Sequence, residues 1–238
     1  MFMKKTFREL KREARAALKG KWGEAALAMF AYVIIVLVFE GGMSIIQLLD
    51  HDFIHRYQAY MLQGNPAAAI SFLAGSMWKY SAGAIVFFLF VGAPLAIGLF
   101  NTFLWLLKGN KNIVDNMFKL GFKPYWRSVL GYFLMIVKIY LWMLLLIIPG
   151  IIKAFAYALT PYILKDNPEL SCLEAIKRSR LMMKGNKWRL FVLYLSFIGW
   201  FLLGLLTLGI GYFWLAPYVY TTTAAFYEDV KSRYEAAV

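Results

Sequence analysis

The sequence predicts an all-α membrane protein, with six transmembrane helices paired as three hairpins and a basic amphipathic interfacial helix before each hairpin. Three observations carry this prediction. Hydrophobic residues make up 61% of the 238, against roughly 45–50% in soluble domains, and they come in blocks long enough to cross a bilayer. The charge is segregated, since 22 of the 26 Lys and Arg lie in residues 1–21, 108–127, 165–189 and the C-terminal tail. Finally, Trp22, Trp126 and Trp188 each open a hairpin, and amphipathic rings of this kind favour the headgroup level.

Residues 4–19 have Phe7, Leu10, Ala14 and Leu18 at helical spacing, with Lys5, Arg8, Arg12, Arg15 and Lys19 on the other face. Such a helix is expected in the interface with its apolar side down. Gly20 ends it. The first span runs from about Glu24 to Leu49. Residues 50–79 read as a polar external connection containing Asp50, His51, Asp52, His55 and Arg56. The second span, about Ser81 to Leu107, exceeds the roughly 20 residues a bilayer needs, and a kink at Pro94 or a tilt would absorb the excess.

A basic connection, 108–127, holds a short helix with Asn112 as its cap, Ile113, Met117 and Leu120 on one side, and Gly121 as its stop. The third span covers Ser128 to Ile148. Pro149-Gly150 signals a tight turn, and the fourth span, about Ile151 to Leu164, is short for a crossing. In 165–188, Ser171-x-x-Glu174 is a capping-box pattern. The fifth span covers Leu190 to Leu206, and the sixth runs to about Phe226 with Pro217 inside it.

The charge count places both termini in the cytoplasm, because loops rich in Lys and Arg stay inside. It also accounts for the net charge of +13 without nucleic acid, since basic loops between apolar spans meet anionic lipid. With Cys172 alone, no intrachain disulfide can form. The charged residues Met1 to Lys21 are not those of a cleaved signal peptide. No nucleotide-binding loop, HExxH or GxSxG motif occurs, so no catalytic residue, metal or cofactor is assigned.

Three segments (1–109, 110–166 and 167–238, within a single membrane domain) share one plan: an amphipathic helix, a glycine, basic residues, a Trp and a hairpin. The junctions are Lys19-Gly20-Lys21-Trp22, Gly121-Phe122-Lys123-Pro124-Tyr125-Trp126 and Lys184-Gly185-Asn186-Lys187-Trp188. The second helix of each hairpin has one proline, Pro94, Pro161 or Pro217. Each frees a carbonyl one turn back, either around a cavity or in a static bend.

Glu40, Lys138 and Lys153 are the ionisable residues deepest in apolar sequence, where charge normally faces the bundle interior or a partner. Lys138 is the strongest case. Glu40 is either its partner or sits near the outer end in water, and Lys153 is either buried or snorkelling. Lys4, Lys5, Arg8, Lys11, Arg12, Arg15, Lys184 and Lys187, with the three tryptophans, are candidates for lipid headgroup contact. His51 and His55 stand at i and i+4, but no third ligand is evident, and solvated histidines are expected. Tyr212-Phe213-Trp214 and Tyr218-x-Tyr220 either line a groove or pack as an interfacial belt.

The motifs Ile148-Pro149-Gly150-Ile151-Ile152-Lys153, Thr160-Pro161-Tyr162, Asp166-Asn167-Pro168-Glu169-Leu170, Ala175-Ile176-Lys177-Arg178-Ser179 and Ala216-Pro217-Tyr218 occur in order. With Leu10-Lys11-Arg12-Glu13-Ala14-Arg15 they make the chain resemble a family of uncharacterised integral membrane proteins of bacteria, mainly Gram-positive, catalogued as a domain of unknown function. The resemblance implies a plasma-membrane location and six spans, and brings no catalytic residue with it. A more distant similarity to the membrane domains of some glycerophosphodiester phosphodiesterases points towards lipid. The expected function is non-catalytic engagement of anionic lipid or an amphiphile, extending to its transport. The alternatives are an accessory protein that binds another membrane protein and, third, a lipid-modifying enzyme.

Overall fold

A computed structural model describes residues 4–237, apart from the side chains of residues 39–49 and 77–81. Every regular element among the described residues is helical. Four helices are long and apolar enough to cross a membrane: Ala82–Leu107, Tyr125–Leu145, Ile147–Asp166 and Lys187–Leu206. A fifth candidate arises if Phe7–Leu18 and Trp22–Val38, bent by 93°, count as one span. The chain divides into two compact units, one of Met1–Phe30 with Ala93–Val238 and one of Ala31–Gly92.

Helices α1 (Phe7–Leu18) and α2 (Trp22–Leu49) open the chain. The stretch 50–79, read as a polar connection, is instead mostly helical, forming α3 (His51–Leu62) and the start of α4 (Pro66–Phe87). The Asp50 carboxylate accepts from the N–H groups of Asp52 and Phe53 and so caps α3. Asn65 caps α4 through the Ala68 N–H, with Pro66 in the first turn, where its missing N–H is not needed. Phe72 holds the pair together by stacking on Phe53 at 5.4 Å and meeting Tyr60 at 5.7 Å. A π-helical turn, Phe88–Gly92, follows.

The larger unit is built on two central helices, α5 (Ala93–Leu107) and, at the other end of the chain, one spanning Tyr212–Glu235. Between them lie α6 (Ile113–Phe122), α7 (Tyr125–Leu145), α8 (Ile147–Tyr157), α9 (Thr160–Asp166), α10 (Cys172–Met182), α11 (Lys187–Leu195) and α12 (Ile198–Leu206), which makes the last helix α13. Every residue from Ala93 to Leu99 and from Thr221 to Tyr227 is buried. Burial on all sides marks helices enclosed by protein.

Helices α5 and α13 run parallel. Phe103 stacks on Tyr220 at 5.8 Å, and further along both helices Lys108 pairs with Glu228 at 3.3 Å. The α11–α12 arm runs antiparallel to α13, with Arg189 on Asp229 at one end and Phe201 beside Tyr212 at the other. Because α13 is wrapped by protein, it tolerates Thr221, Thr222 and Thr223. Their hydroxyls donate to the carbonyls of Pro217, Tyr218 and Val219 at 2.7–2.8 Å, which removes the cost of burying them. Asn101 ties α5 to α9 by donating to the carbonyls of Ile97 (2.9 Å) and Pro161 (2.8 Å).

The three amphipathic helices form as the periodicity predicts, but their apolar faces meet protein rather than open bilayer. Leu10, Ala14 and Leu18 of α1 are fully buried, with α1 packed on α13 and α5. In α10, Ala175, Ile176, Ser179 and Met182 are buried, and the Ser179 hydroxyl donates to the Ala156 carbonyl of α8 at 3.0 Å. On α6, Gly121 is not a stop. It lies inside the helix, where a Cβ would sit 2.5 Å from the Pro94 carbonyl, while a Cβ on Gly98 would meet the Met117 carbonyl at 2.0 Å. These two glycines let α5 and α6 touch backbone to backbone.

Two further local expectations are corrected. Asn112 precedes α6 in a left-handed conformation and makes no side-chain cap; the Glu24 carboxylate of α2 accepts the Ile113 N–H instead. The chain reverses at Leu146 rather than at Pro149-Gly150, which lie in the first turn of α8. A Cβ on Gly150 would come within 2.3 Å of the Met143 side chain, so this glycine serves the close approach of α8 to α7.

Candidate functional site

The basic end of the larger unit is organised by two carboxylates. Asp229 on α13 is 3% exposed. It accepts the Lys5 backbone N–H at 3.1 Å, a guanidinium hydrogen bond from Arg189, and one from Arg233 at 3.2 Å. Arg189 also donates to the Lys5 carbonyl, so a single guanidinium joins the start of α1 to α11 and α13. Fork-shaped donation of this kind fixes geometry as well as charge.

Asp166 at the end of α9 is the second centre. It accepts from Lys231 (2.7 Å), Tyr227 (2.9 Å) and Lys108 (3.3 Å). Burial works against the charge on Lys231, but the hydrogen bond and charge of Asp166, aided by Glu228 and Glu235, hold its pKa above the ordinary lysine value. Arg127 caps the same helix end by donating to the carbonyls of Leu164 (3.0 Å) and Asn167 (2.8 Å).

Beside these centres, between α1, the end of α5 and α13, lies a pocket of about 610 Å³. Its polar lining is Lys5, Lys19, Lys21 and Lys108 against Glu13 and Glu228, four positive charges to two negative. Ala16, Ala17, Leu106, Leu107 and Ala225 supply an apolar wall. Lys5 is paired with Glu13 at 2.7 Å, Lys108 with Asp166 and Glu228, and Lys21 donates to the Asn110 carbonyl at 3.2 Å. Lys19 is exposed, with no protein partner among the described residues. An excess of cations beside an apolar wall suits an anion attached to a hydrocarbon.

Residues 1–234 match the family of proteins of unknown function DUF975. The chain belongs to the DUF975 family. No curated protein and no solved structure matches it.

In this DUF975 chain the sequence-predicted residues scatter. Of the headgroup candidates, Lys5 lines the pocket and Lys11 instead reaches α11–α12, donating to the Ser196 carbonyl at 3.0 Å and lying over the Phe197 ring at 4.0 Å. Lys4, Arg8, Arg12, Arg15 and Lys184 are exposed, and Lys187 is half-buried. Trp126 and Trp188 are exposed at the starts of α7 and α11, while Trp22 packs edge-on to Tyr218 at 6.2 Å.

Lys138 is half-buried on α7 and makes no ion pair among the described residues. Lys153 lies over the Trp142 ring at 4.1 Å. The side chain of Glu40 lies outside the described residues. Pro94 follows the π-helical turn and Pro161 follows the break between α8 and α9, each as the second residue of its helix; Pro217 is inside the continuous α13. His51 and His55 are exposed, with ring centroids 4.5 Å apart.

The sequence reading missed Asp166, Asp229, Arg189, Asn101 and Lys108. One signal was available for Asp229: it stands four residues before Arg233, a spacing that places the two side by side on a helix. Nothing local marked Arg189 as their third member, because that contact spans 40 residues.

Proposed function

We propose that this DUF975 protein is a multi-pass protein of the bacterial plasma membrane, with both termini cytoplasmic, that engages anionic lipid without catalysing a reaction on it. The lysine-lined pocket is the observation that carries this reading. Its cations lie at the end where the basic loops gather, and its wall is apolar. Two of its lysines, Lys19 and Lys21, have no carboxylate partner among the described residues; Lys19 is free to meet a phosphate, and Lys21, which gives one proton to the Asn110 carbonyl, keeps two more to donate. The concentration of Lys and Arg in four segments supports the cytoplasmic side for this end.

The reading is tested by native mass spectrometry of protein extracted gently with its own lipids. Retention of an anionic phospholipid, reduced several-fold in a Lys19→Gln/Lys21→Gln variant, is the expected result. Equal retention of anionic and zwitterionic lipid would sink it. Retention of a single stoichiometric polypeptide, with no selective lipid, would move the accessory-protein reading to first place. Cysteine accessibility at residue 4 and at residue 208 tests the orientation, since only the latter should label from outside.

A further inference from the structure

A second cavity, of about 470 Å³, lies between α5, the α11–α12 arm and α13. No charged side chain lines it. Its α13 wall is Tyr212, Ala216, Val219, Tyr220 and Thr223, spaced at 4, 7, 8 and 11 residues from the first and so on one helix face. Opposite stand Phe100, Tyr194 and Phe201. The last two flank the break at Ser196-Phe197, where Lys11 of α1 holds the Ser196 carbonyl.

The cavity is polar at one end. Towards the basic end, Tyr194 Oη lies 3.4 Å from Thr223 Oγ1, whose own proton goes to the Val219 carbonyl at 2.8 Å. Phe100 meets both Tyr220 (4.9 Å) and Tyr162 (5.7 Å) edge-on. Tyr162, beyond Phe100 and outside the cavity lining, is fully buried, and its hydroxyl has no hydrogen-bond partner among the described residues. At the other end the only hydroxyl is that of Tyr212, already committed to the Phe201 carbonyl at 3.0 Å. That end is effectively apolar.

Depth fits this polarity. Tyr194 is seven residues along from Lys187, which places the hydroxyl group roughly 10 Å inside the charged layer at a rise of about 1.5 Å per residue. A membrane glycerolipid has the same order of parts: charged head, ester carbonyl, hydrocarbon.

We propose that this cavity holds one acyl chain of a glycerolipid from the leaflet at the basic end, with the ester carbonyl accepting from the Tyr194 hydroxyl and the chain running towards Tyr212. With no charge in the lining, the headgroup stays outside. The site therefore selects chain and carbonyl, not headgroup charge, and is independent of the lysine pocket.

The test uses the full chain in lipid nanodiscs with a phosphatidylglycerol bearing a photoreactive diazirine in one acyl chain. Labelling is expected on the peptide containing 212–223, falling at least tenfold in Ala216→Trp, while labelling of the lipid-facing peptide 141–148 is unchanged and reports that the variant is folded. Undiminished labelling of 212–223 in that variant overturns the proposal. Tyr194→Phe is the conservative second variant. On the wild type, a diester phospholipid should compete with the probe about three- to tenfold better than its diether analogue, the range expected for one hydrogen bond, and this preference should vanish in Tyr194→Phe. Ester and ether competing equally on the wild type, or an isoprenoid quinone displacing the probe where glycerolipids do not, overturns the assignment. Zwitterionic and anionic diesters should compete equally. A strong anionic preference here would overturn the independence from the lysine pocket while leaving the headgroup reading intact.

Discussion

At the basic end of the larger unit, Asp229 and Asp166 tie the start of α1, the end of α5, α9, α11 and α13 together by ion pairs and hydrogen bonds. At the opposite end, the α7–α8 reversal and the end of α12 turn bare aliphatic side chains outward: Leu144 is 84% exposed and Leu206 is 79% exposed. The first end is held by directional bonds that accept one arrangement. The second has no ion pair among the described residues, and its bare aliphatic surface calls for an apolar solvent. A membrane supplies that solvent, so the burial that drives folding in water is replaced there by insertion, and specificity is left to the polar end.

The sharpest way to break this contrast is Asp229→Asn. It keeps the shape but leaves Arg189 and Arg233, 13% and 15% exposed, without their counter-charge. Breaking a buried pair from one side costs about 3–5 kcal/mol. The detergent-solubilised variant should melt far below wild type, with the N-terminal helix released first to protease. Wild-type melting would show that the network contributes little.

Gly98→Ala comes next. The added methyl would stand 2.0 Å from the Met117 carbonyl, a backbone atom that cannot rotate away, and overpacking of this kind costs about 1–3 kcal/mol. Thermal unfolding checks it, and a neutral result would mean that α6 can slide on α5.

Ser171→Ala is smaller. The Ser171 side chain and Glu174 form a reciprocal cap on α10, worth about 0.5–2 kcal/mol. The same cap sets a pH response. Hydrogen bonds from the Ser171 side chain and then its backbone N–H hold the Glu174 carboxyl below its ordinary value of 4.5. A depressed carboxylate contributes fully above 4.5 and loses its contribution as pH falls through the lowered value. Amide exchange in the first turn of α10 should therefore quicken only in the acid range below about 4.5, and Glu174→Gln should abolish that transition.

The smallest effect is expected at the other end. Leu144→Ala removes a side chain that packs on nothing in the protein, and melting should move by less than about 0.5 kcal/mol equivalent. A large loss there would erase the distinction between the two ends.

Much of this fold was legible in the sequence. Apolar runs marked the four helices long and apolar enough to cross a membrane, though not the six spans expected; the helical period marked α1 and α10, and Ser171-x-x-Glu174 marked its own cap, because each depends on residues within a few positions of one another. Three local signals were legible but pointed the wrong way. Gly121 carries the mark of a helix stop, Pro149-Gly150 that of a turn, and Asn112 that of a cap. Each was reassigned by a neighbour on another helix: the Pro94 carbonyl, Met143 on the facing helix, and the Glu24 carboxylate.

The candidate site followed the same division. Three of its four lysines were visible in a basic cluster at 4–21, since charge density is a property of composition. That only Lys5, Lys19 and Lys21 of that cluster line the pocket while Lys11 crosses to α11–α12 was not, since it depends on the angle at which α1 docks.

The sequence by itself determined the class of environment this chain lives in, because the free energy of placing a helix in lipid is a sum over its own residues. It also determined the segments in which charge accumulates, since that is a matter of composition. Only the tertiary structure decided that the amphipathic faces meet protein, that Asp229 rather than any intramembrane lysine organises the buried charge, and that an aromatic cavity opens beside α13. Those depend on groups from 23 to 224 residues apart, and a contact energy between distant residues exists only once packing has brought them within a few ångströms.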